Sequence, residues 1–403
     1  MRSLAVFPRL ASPLAPRLGR LAPLLGTLAL SACAAFGAGT RPAAVVLPEF
    51  DAGGAPSYWV LVANESSDVI SALAFSPATR IARVRDNEVG WRERAIDGVH
   101  GLAVSPDGRV VYVTISHGDP EGYLLRLAAP GDSTLARAPL GLFPSSITLA
   151  RDGEYAFVTN YNLHGPPTAS TVAVIYAPTM TRVARVETCV MPTGGAVDVG
   201  DRRHYSVCQH SDQLVQIDVR SFEVTGRMSL QPGEESPLAL DDTGERITHA
   251  LLRAGACGPT AVAAGAGPRA DTHVYVACAR TGMVLEVDVR AWNVARRFET
   301  GATPHDVAVT RDGGKLIVAL QGAQTVAVYD LFGGAELARI ETSEALPHGV
   351  AITPDGLYAF VSNEATGATV GTVDVIDLVE LRRVGSVDML YQPGAIDFWT
   401  MGR

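Results

Sequence analysis

An all-β, seven-bladed propeller closed by its own C-terminal strand is the fold this sequence predicts, and three observations predict it. A unit reading Pro-His-x-Val-Ala-x-Thr-x-Asp-Gly recurs, most clearly at Pro304–Gly313 and Pro347–Gly356, followed by an apolar run that ends near Asn and then by Val-x-Val-x-Asp. The turn aspartates of these copies, Asp312 and Asp355, stand 43 residues apart, and those of two earlier copies, Asp107 and Asp152, stand 45 apart. A period of that size, made of short alternating strands with no helical pattern, marks four-stranded blades. Finally, the two ends of the repeat region are complementary fragments. Tyr58–Asn64 lacks an inner strand and Pro393–Trp399 is only an inner strand, so the C-terminal strand completes the first blade and leaves few free sheet edges.

The elements follow in order. Residues 1–32 read as a lipoprotein signal peptide. Arg2, Arg9, Arg17 and Arg20 precede the apolar stretch Leu21–Leu30, too short to span a bilayer, and Leu30-Ser31-Ala32-Cys33 resembles the lipobox in which a cysteine is lipidated. Residues 33–57, rich in Ala, Gly and Pro, form a tether from Cys33. The expected location is exported, lipid-anchored to a bacterial membrane, on its periplasmic or cell-surface side. The propeller occupies 58–403. Its blades carry repeat copies from Val99, from Arg151, from Pro192, from Pro259, from Pro304 and from Pro347, with an insertion at about 231–256 that fits no strand of the repeat.

Composition suits this architecture. Hydrophobic residues make up 47% and charged residues 19%, so a large core is available, and 40 glycines and 25 prolines supply turns. The net charge is −9 and Lys315 is the only lysine, which argues against a nucleic acid partner, since phosphate binding needs a basic stripe. Export gives the four other cysteines meaning: Cys189 and Cys257 precede the inner strands of neighbouring blades, and Cys208 and Cys278 end the second strands. Two disulfides between these blades are expected.

The strings Tyr155–Asn160, Phe360–Asn363 and Val373–Asp377 resemble the YVTN-type (YncE-like) β-propeller repeat family of surface and periplasmic proteins. The resemblance covers nearly the whole chain after the tether. It implies the propeller fold and leaves activity open, because such scaffolds host unrelated functions.

In a propeller, residues leading into the inner strands converge on one mouth of the central channel. His100, His305 and His348 occupy that place, and Asn64, Asn160 and Asn363, with Glu364 beside the last, sit on adjoining loops. His100, His305, His348, Asn160, Asn363 and Glu364 are therefore the expected ligand-binding set. The three imidazoles could alternatively hold copper, zinc or a haem iron. Against this, the histidine belongs to the repeat itself, and Ser145 and Thr193 replace it in other blades. Asp107, Asp152, Asp312 and Asp355 suit tight turns, and Asp218, Asp288, Asp330 and Asp377 suit backbone capping at the end of the third strand. His117, His164, His204, His210, His249 and His273 fall at unrelated places and read as solvated or hydrogen-bonded. No nucleophile elbow, zinc helix or P-loop is present. The function expected is thus a membrane-tethered binding module for a protein or small ligand, without catalysis. The alternatives are a metal- or haem-dependent oxidoreductase or carrier and a lactonase-type hydrolase using Asp306, His305, His348 and Glu364.

Overall fold

A computed structural model describes residues 45–90, 96–117, 121–245 and 255–402. The signal peptide and residues 33–44 of the tether, Cys33 among them, lie outside the described residues, as do His249 and residues 246–254 of the insertion.

Seven antiparallel four-stranded sheets form a ring. Blade 1 joins the C-terminal strand Pro393–Gly402, innermost, to Ser57–Asn64, Val69–Phe75 and Ile81–Glu88. The inner and second strands of the others are Val99–Val104 and Val110–Ile115 in blade 2, and Pro144–Leu149 and Tyr155–Asn160 in blade 3. They are Pro192–Val197 and Arg203–Cys208 in blade 4, and Pro259–Ala264 and His273–Cys278 in blade 5. Blade 6 has Pro304–Val309 and Lys315–Leu320, and blade 7 has Pro347–Ile352 and Tyr358–Asn363. The expected closure is therefore present: Ser57–Asn64 pairs with Pro393–Gly402 on one side and with Val69–Phe75 on the other.

The blades pack face to face because their second and third strands are apolar on both sides. Val158, Val174, Val207, Val276, Val318 and Val361 are wholly buried, which is how a strand between two neighbouring sheets reads. At the seam, Trp59 and Trp399 meet edge to face at 5.9 Å, and the Trp399 indole N–H donates to the Gly108 carbonyl at 2.7 Å, tying blade 1 to blade 2.

The recurrent aspartates are structural, as their positions predict. Gly108, Gly153, Gly313 and Gly356 all have φ between +69° and +75°, the left-handed value the Asp-Gly turn requires. Asp218, Asp288, Asp330 and Asp377 each accept two backbone N–H groups two and three residues ahead.

The disulfides depart from expectation. Cys189 pairs with Cys208 and Cys257 with Cys278, with Cα separations of 5.9 and 4.6 Å. Neither joins blade 4 to blade 5: Cys189, in the outer strand Thr181–Val190 of blade 3, is tied to the end of blade 4's second strand, and Cys257, on the approach to blade 5's inner strand, is tied to the end of that blade's own second strand. The reason is register: Pro192 lies opposite Cys208 and Pro259 opposite Cys278, so a cysteine just before either proline already faces its partner.

The ring has two distinct faces. Inner strands begin, and second strands end, on the mouth face; the Asp-Gly turns lie on the other. The chain reaches Ser57 from the turn face, where Val45 approaches Gly108, and Gly402 pairs with Ser57 there. The insertion begins and ends on the mouth face. Its Asp242 carbonyl accepts from Gln213, its Leu240 carbonyl accepts from buried Arg227, and Glu245 accepts the Ala169 N–H of blade 3.

Candidate functional site

One backbone device repeats in every blade and builds the mouth. The residue before each inner strand, Gln392, Gly98, Phe143, Met191, Gly258, Thr303 or Leu346, has φ between +47° and +72°. Its carbonyl accepts the N–H of the residue that follows the second strand, respectively Glu65, Ser116, Tyr161, Gln209, Ala279, Gln321 or Glu364, at 2.9–3.2 Å. Five of the seven residues are not glycine, so the conformation is held by this bond against its intrinsic cost. The device places two residues per blade at the opening: the one after the second strand and the second residue of the inner strand.

The second residues form a ring of Gly394, His100, Ser145, Thr193, Thr260, His305 and His348 in blade order from 1 to 7. The ring has two unlike arcs. Blades 3 to 5 present hydroxyls; blades 6, 7 and 2 present imidazoles, with Gly394 of blade 1 as the gap between His348 and His100. These side chains open on a cavity of about 380 Å³, walled also by Glu65, Tyr161, Gln209 and Gln392 and floored by Leu102, Ile147 and Ile396. That volume admits a small organic ligand.

The three expected histidines are thus brought together. The His305 and His348 ring centres lie 4.2 Å apart and those of His348 and His100 lie 6.4 Å apart. Two carboxylates sit on the same arc. His100 Nδ1 is 2.9 Å from Glu65 Oε2, and His348 Nε2 is 3.4 Å from Glu364 Oε1. Glu65 also accepts from Gln392 Nε2 at 3.3 Å and has His117 Nε2 at 3.8 Å from its other oxygen. The Glu65 side chain is 11% exposed and that of His100 27% exposed.

Electrostatics separate these groups. Desolvation works against the charged form of His100, but the charge of Glu65 and the hydrogen bond to it win, so the His100 pKa is raised. Glu65 is also opposed by desolvation and is nonetheless held low by His100 and the neighbouring imidazoles. His305 is pushed down to about 3 and His348 to about 4, both by burial first and then by a neighbouring imidazole. Glu364 is raised by burial, only partly offset by the histidines. Asp306 is pushed up to about 6 by burial and accepts the N–H groups of Val307 and Val350, both at 2.9 Å, so it fastens blade 6 to blade 7 just inside the mouth.

Asn160 and Asn363 correct the expected set. Asn160 spans the Gly141 N–H and the Thr171 hydroxyl, at 2.8 and 2.9 Å, and Asn363 donates to Thr372 and Asp374, both at 3.0 Å. Both are buried inside their blades, and neither lines the cavity. The insertion contributes no described residue to the cavity wall. Among the described residues no three His, Cys, Asp or Glu side chains stand in an arrangement able to hold a metal ion.

Three residues were missed. Glu65 is the chief one; its signal was Asn64-Glu65, which repeats Asn363-Glu364 at the same place in another blade. His117 and His164 stand at the rim rather than at unrelated places, their ring centres 6.2 Å apart and each set edge-on to Phe143. His204 is also a correction. It is fully buried, stacks on Phe157 at 4.6 Å and has no hydrogen-bond partner at either ring nitrogen, so it is neither solvated nor hydrogen-bonded. His210 likewise leaves Nδ1 unpartnered, whereas His273 shares a hydrogen bond with the Thr272 hydroxyl at 2.8 Å.

No family model matches the chain, and no curated protein matches it either. Solved structures do. A functionally unknown protein from Desulfotomaculum acetoxidans superposes with a TM-score of 0.62 at 14% identity, over 85% of this chain and 98% of that one. Kuenenia stuttgartiensis hydrazine synthase superposes with a TM-score of 0.58 at 14% identity, over 76% of this chain and 93% of that one. At such identity the likeness is one of fold, and the chain is a seven-bladed β-propeller like them.

Proposed function

We propose that the protein is an exported, lipid-anchored member of the YVTN-type propellers that binds a small ligand at the channel mouth and does no chemistry on it. The observation that carries this reading is the convergence of His100, His305, His348, Glu65 and Gln392 on a single cavity of about 380 Å³. Polar groups from four blades meeting over an apolar floor are what a ligand site requires. The two disulfides and the fact that no described helix is long and apolar enough to cross a membrane are compatible with export. Attachment through Cys33 rests on the lipobox alone.

A hydrolase keeps one supporting observation, the neutral His348 beside Glu364, which is how an oriented base is built. The Ser362 hydroxyl on the same blade is not free to serve it, being spent on the Gly394 carbonyl, at 2.5 Å, and on the Gly349 N–H, at 2.9 Å.

Native mass spectrometry and a visible spectrum of the exported full-length protein test the reading, beside a His100/His305/His348→Ala variant. A bound small molecule present in the parent and lost in the variant is the expected result. A haem band or stoichiometric metal lost in the variant would replace it with a redox protein, and lactone turnover abolished by His348→Ala would replace it with an enzyme. Membrane-fraction signal that survives Cys33→Ala would refute the anchor.

A further inference from the structure

We infer that the ligand at the mouth presents a primary ammonium group, and that this group sits over Gly394 between His348, His100, Glu65 and Glu364. The inference rests on the mouth being a ligand site and specifies what it selects.

Charge makes the first part of the case. Among the described residues no lysine or arginine lines the cavity, whereas Glu65 and Asp306 do and Glu364 borders it. The guanidinium of Arg280 acts on Tyr161, at the opposite, hydroxyl arc. On the imidazole arc two carboxylates, Glu65 and Glu364, face His100, His305 and His348. His100 pairs with Glu65 at 2.9 Å, whereas Glu364 has beside it, at 3.4 Å, the imidazole of His348, which burial holds neutral. The Glu364 carboxyl, 15% exposed, accepts no hydrogen bond from a cation among the described residues, and burial raises its pKa, so a guest cation would favour its charged form. A half-buried carboxylate in that position attracts a cation and disfavours an anion.

Shape and hydrogen bonding make the second. The ring position between His348 and His100 is the only one of the seven that lacks a side chain. A methyl group built on Gly394 would lie 3.6 Å from His348 Cε1, 3.7 Å from His348 Nδ1 and 3.9 Å from Glu364 Oε1. These are ordinary contact distances, so the gap is open and bordered by acceptors. His348 Nδ1 is buried and has no hydrogen-bond partner. In the tautomer protonated at Nε2, Nδ1 carries the lone pair and can accept an N–H from a guest. An ammonium supplies three donors and a positive charge at once. The hydrocarbon part of such a ligand has Leu102, Ile147 and Phe143 to lie against.

The test uses the full-length protein and three isosteric probes: benzylamine as its cation, benzyl alcohol and benzoate, with zinc as a fourth arm. Binding is read at pH 7 from the ring C–H signals of His100, His305 and His348. Benzylammonium is expected to bind at least about tenfold tighter than benzyl alcohol, as a charge-assisted hydrogen bond to a carboxylate provides. Glu364→Gln is expected to remove that preference while leaving the melting temperature unchanged, and Gly394→Ala to weaken the amine selectively. Alcohol or benzoate binding as tightly as the amine would overturn the ammonium assignment and leave the mouth as a binding site. Zinc shifting all three histidines at one equivalent and blocking the amine would overturn it in favour of a metal site. Failure of every probe to move any of the three signals would overturn both the assignment and the mouth itself.

Discussion

Glu65 is the residue on which the mouth's electrostatics turn. It touches His100, His117 and Gln392 at once, and it raises the His100 pKa where burial alone would lower it. Glu65→Gln is therefore expected to drop the His100 pKa below the ordinary imidazole value, measured by proton NMR titration of its ring signals, with His273 as an unmoved reference. The sign for stability follows. Raised His100 contributes below the unfolded imidazole pKa, and its contribution fades as pH rises through the folded value. Lowered Glu65 contributes above the unfolded carboxylate value, and that contribution is lost as pH falls through its folded value. The pair thus stabilises most between about pH 4.5 and 6.5. His204 works in the opposite sense. Burial pushes it down to about 3, so below pH 6.5 the unfolded chain takes up a proton that the folded one refuses, and stability falls with acid. His204→Leu removes that liability, and its acid-unfolding midpoint, followed by circular dichroism, is expected to drop by about half a pH unit or more. Glu65 lies in the one blade whose inner strand is at the other end of the chain, and its kinship with Glu364 shows in the sequence only as a shared Asn-Glu step. A buried histidine without partners has no sequence signature.

At the scale of the element, the repeated left-handed residue ahead of each inner strand does the positioning. Only Gly98 and Gly258 suit that conformation, and the other five leave no trace in the sequence because non-glycine residues there suggest ordinary backbone. Thr303, β-branched and exposed, is the least suited of them. Thr303→Asn is expected to stabilise the fold by about 1 kcal/mol in urea unfolding, since asparagine tolerates positive φ and the backbone bond to Gln321 is retained. The Asp-Gly turns, by contrast, were fully legible, because glycine at a positive φ is chemically required and so appears in the text of the chain. The disulfide pairing was half legible. Positions within blades followed from the repeat, while the pairing depended on which residues the hairpin register sets opposite each other. Removing Cys257 and Cys278 together as alanines is expected to cost about 2–4 kcal/mol, by the entropy returned to the unfolded chain, and to shift the thermal midpoint accordingly.

For the whole molecule, period and complementary ends were enough to give seven blades and their closure, because a ring of sheets is dictated by strand count and edge pairing more than by side-chain detail. What the period could not give is the difference between blades, and the site lies in that difference: imidazoles on one arc, hydroxyls on the other, a glycine between. Closure is reinforced at one seam, where Trp399 reaches the Gly108 carbonyl. Trp399→Ala is expected to cost about 3–5 kcal/mol as a buried aromatic loses its contacts, with a calorimetric transition lower than that of the parent.

The seam lies on the turn face, where Ser57 and Gly402 are paired neighbours, and the cavity opens on the other. The ends of the ring and its mouth therefore lie on opposite faces. The mouth residues can be exchanged without disturbing how the ring is joined to anything else, and the ring can be fused, tethered or inserted into a longer chain at Ser57 and Gly402 without obstructing whatever enters it. Such a molecule can keep one mounting and change its cargo.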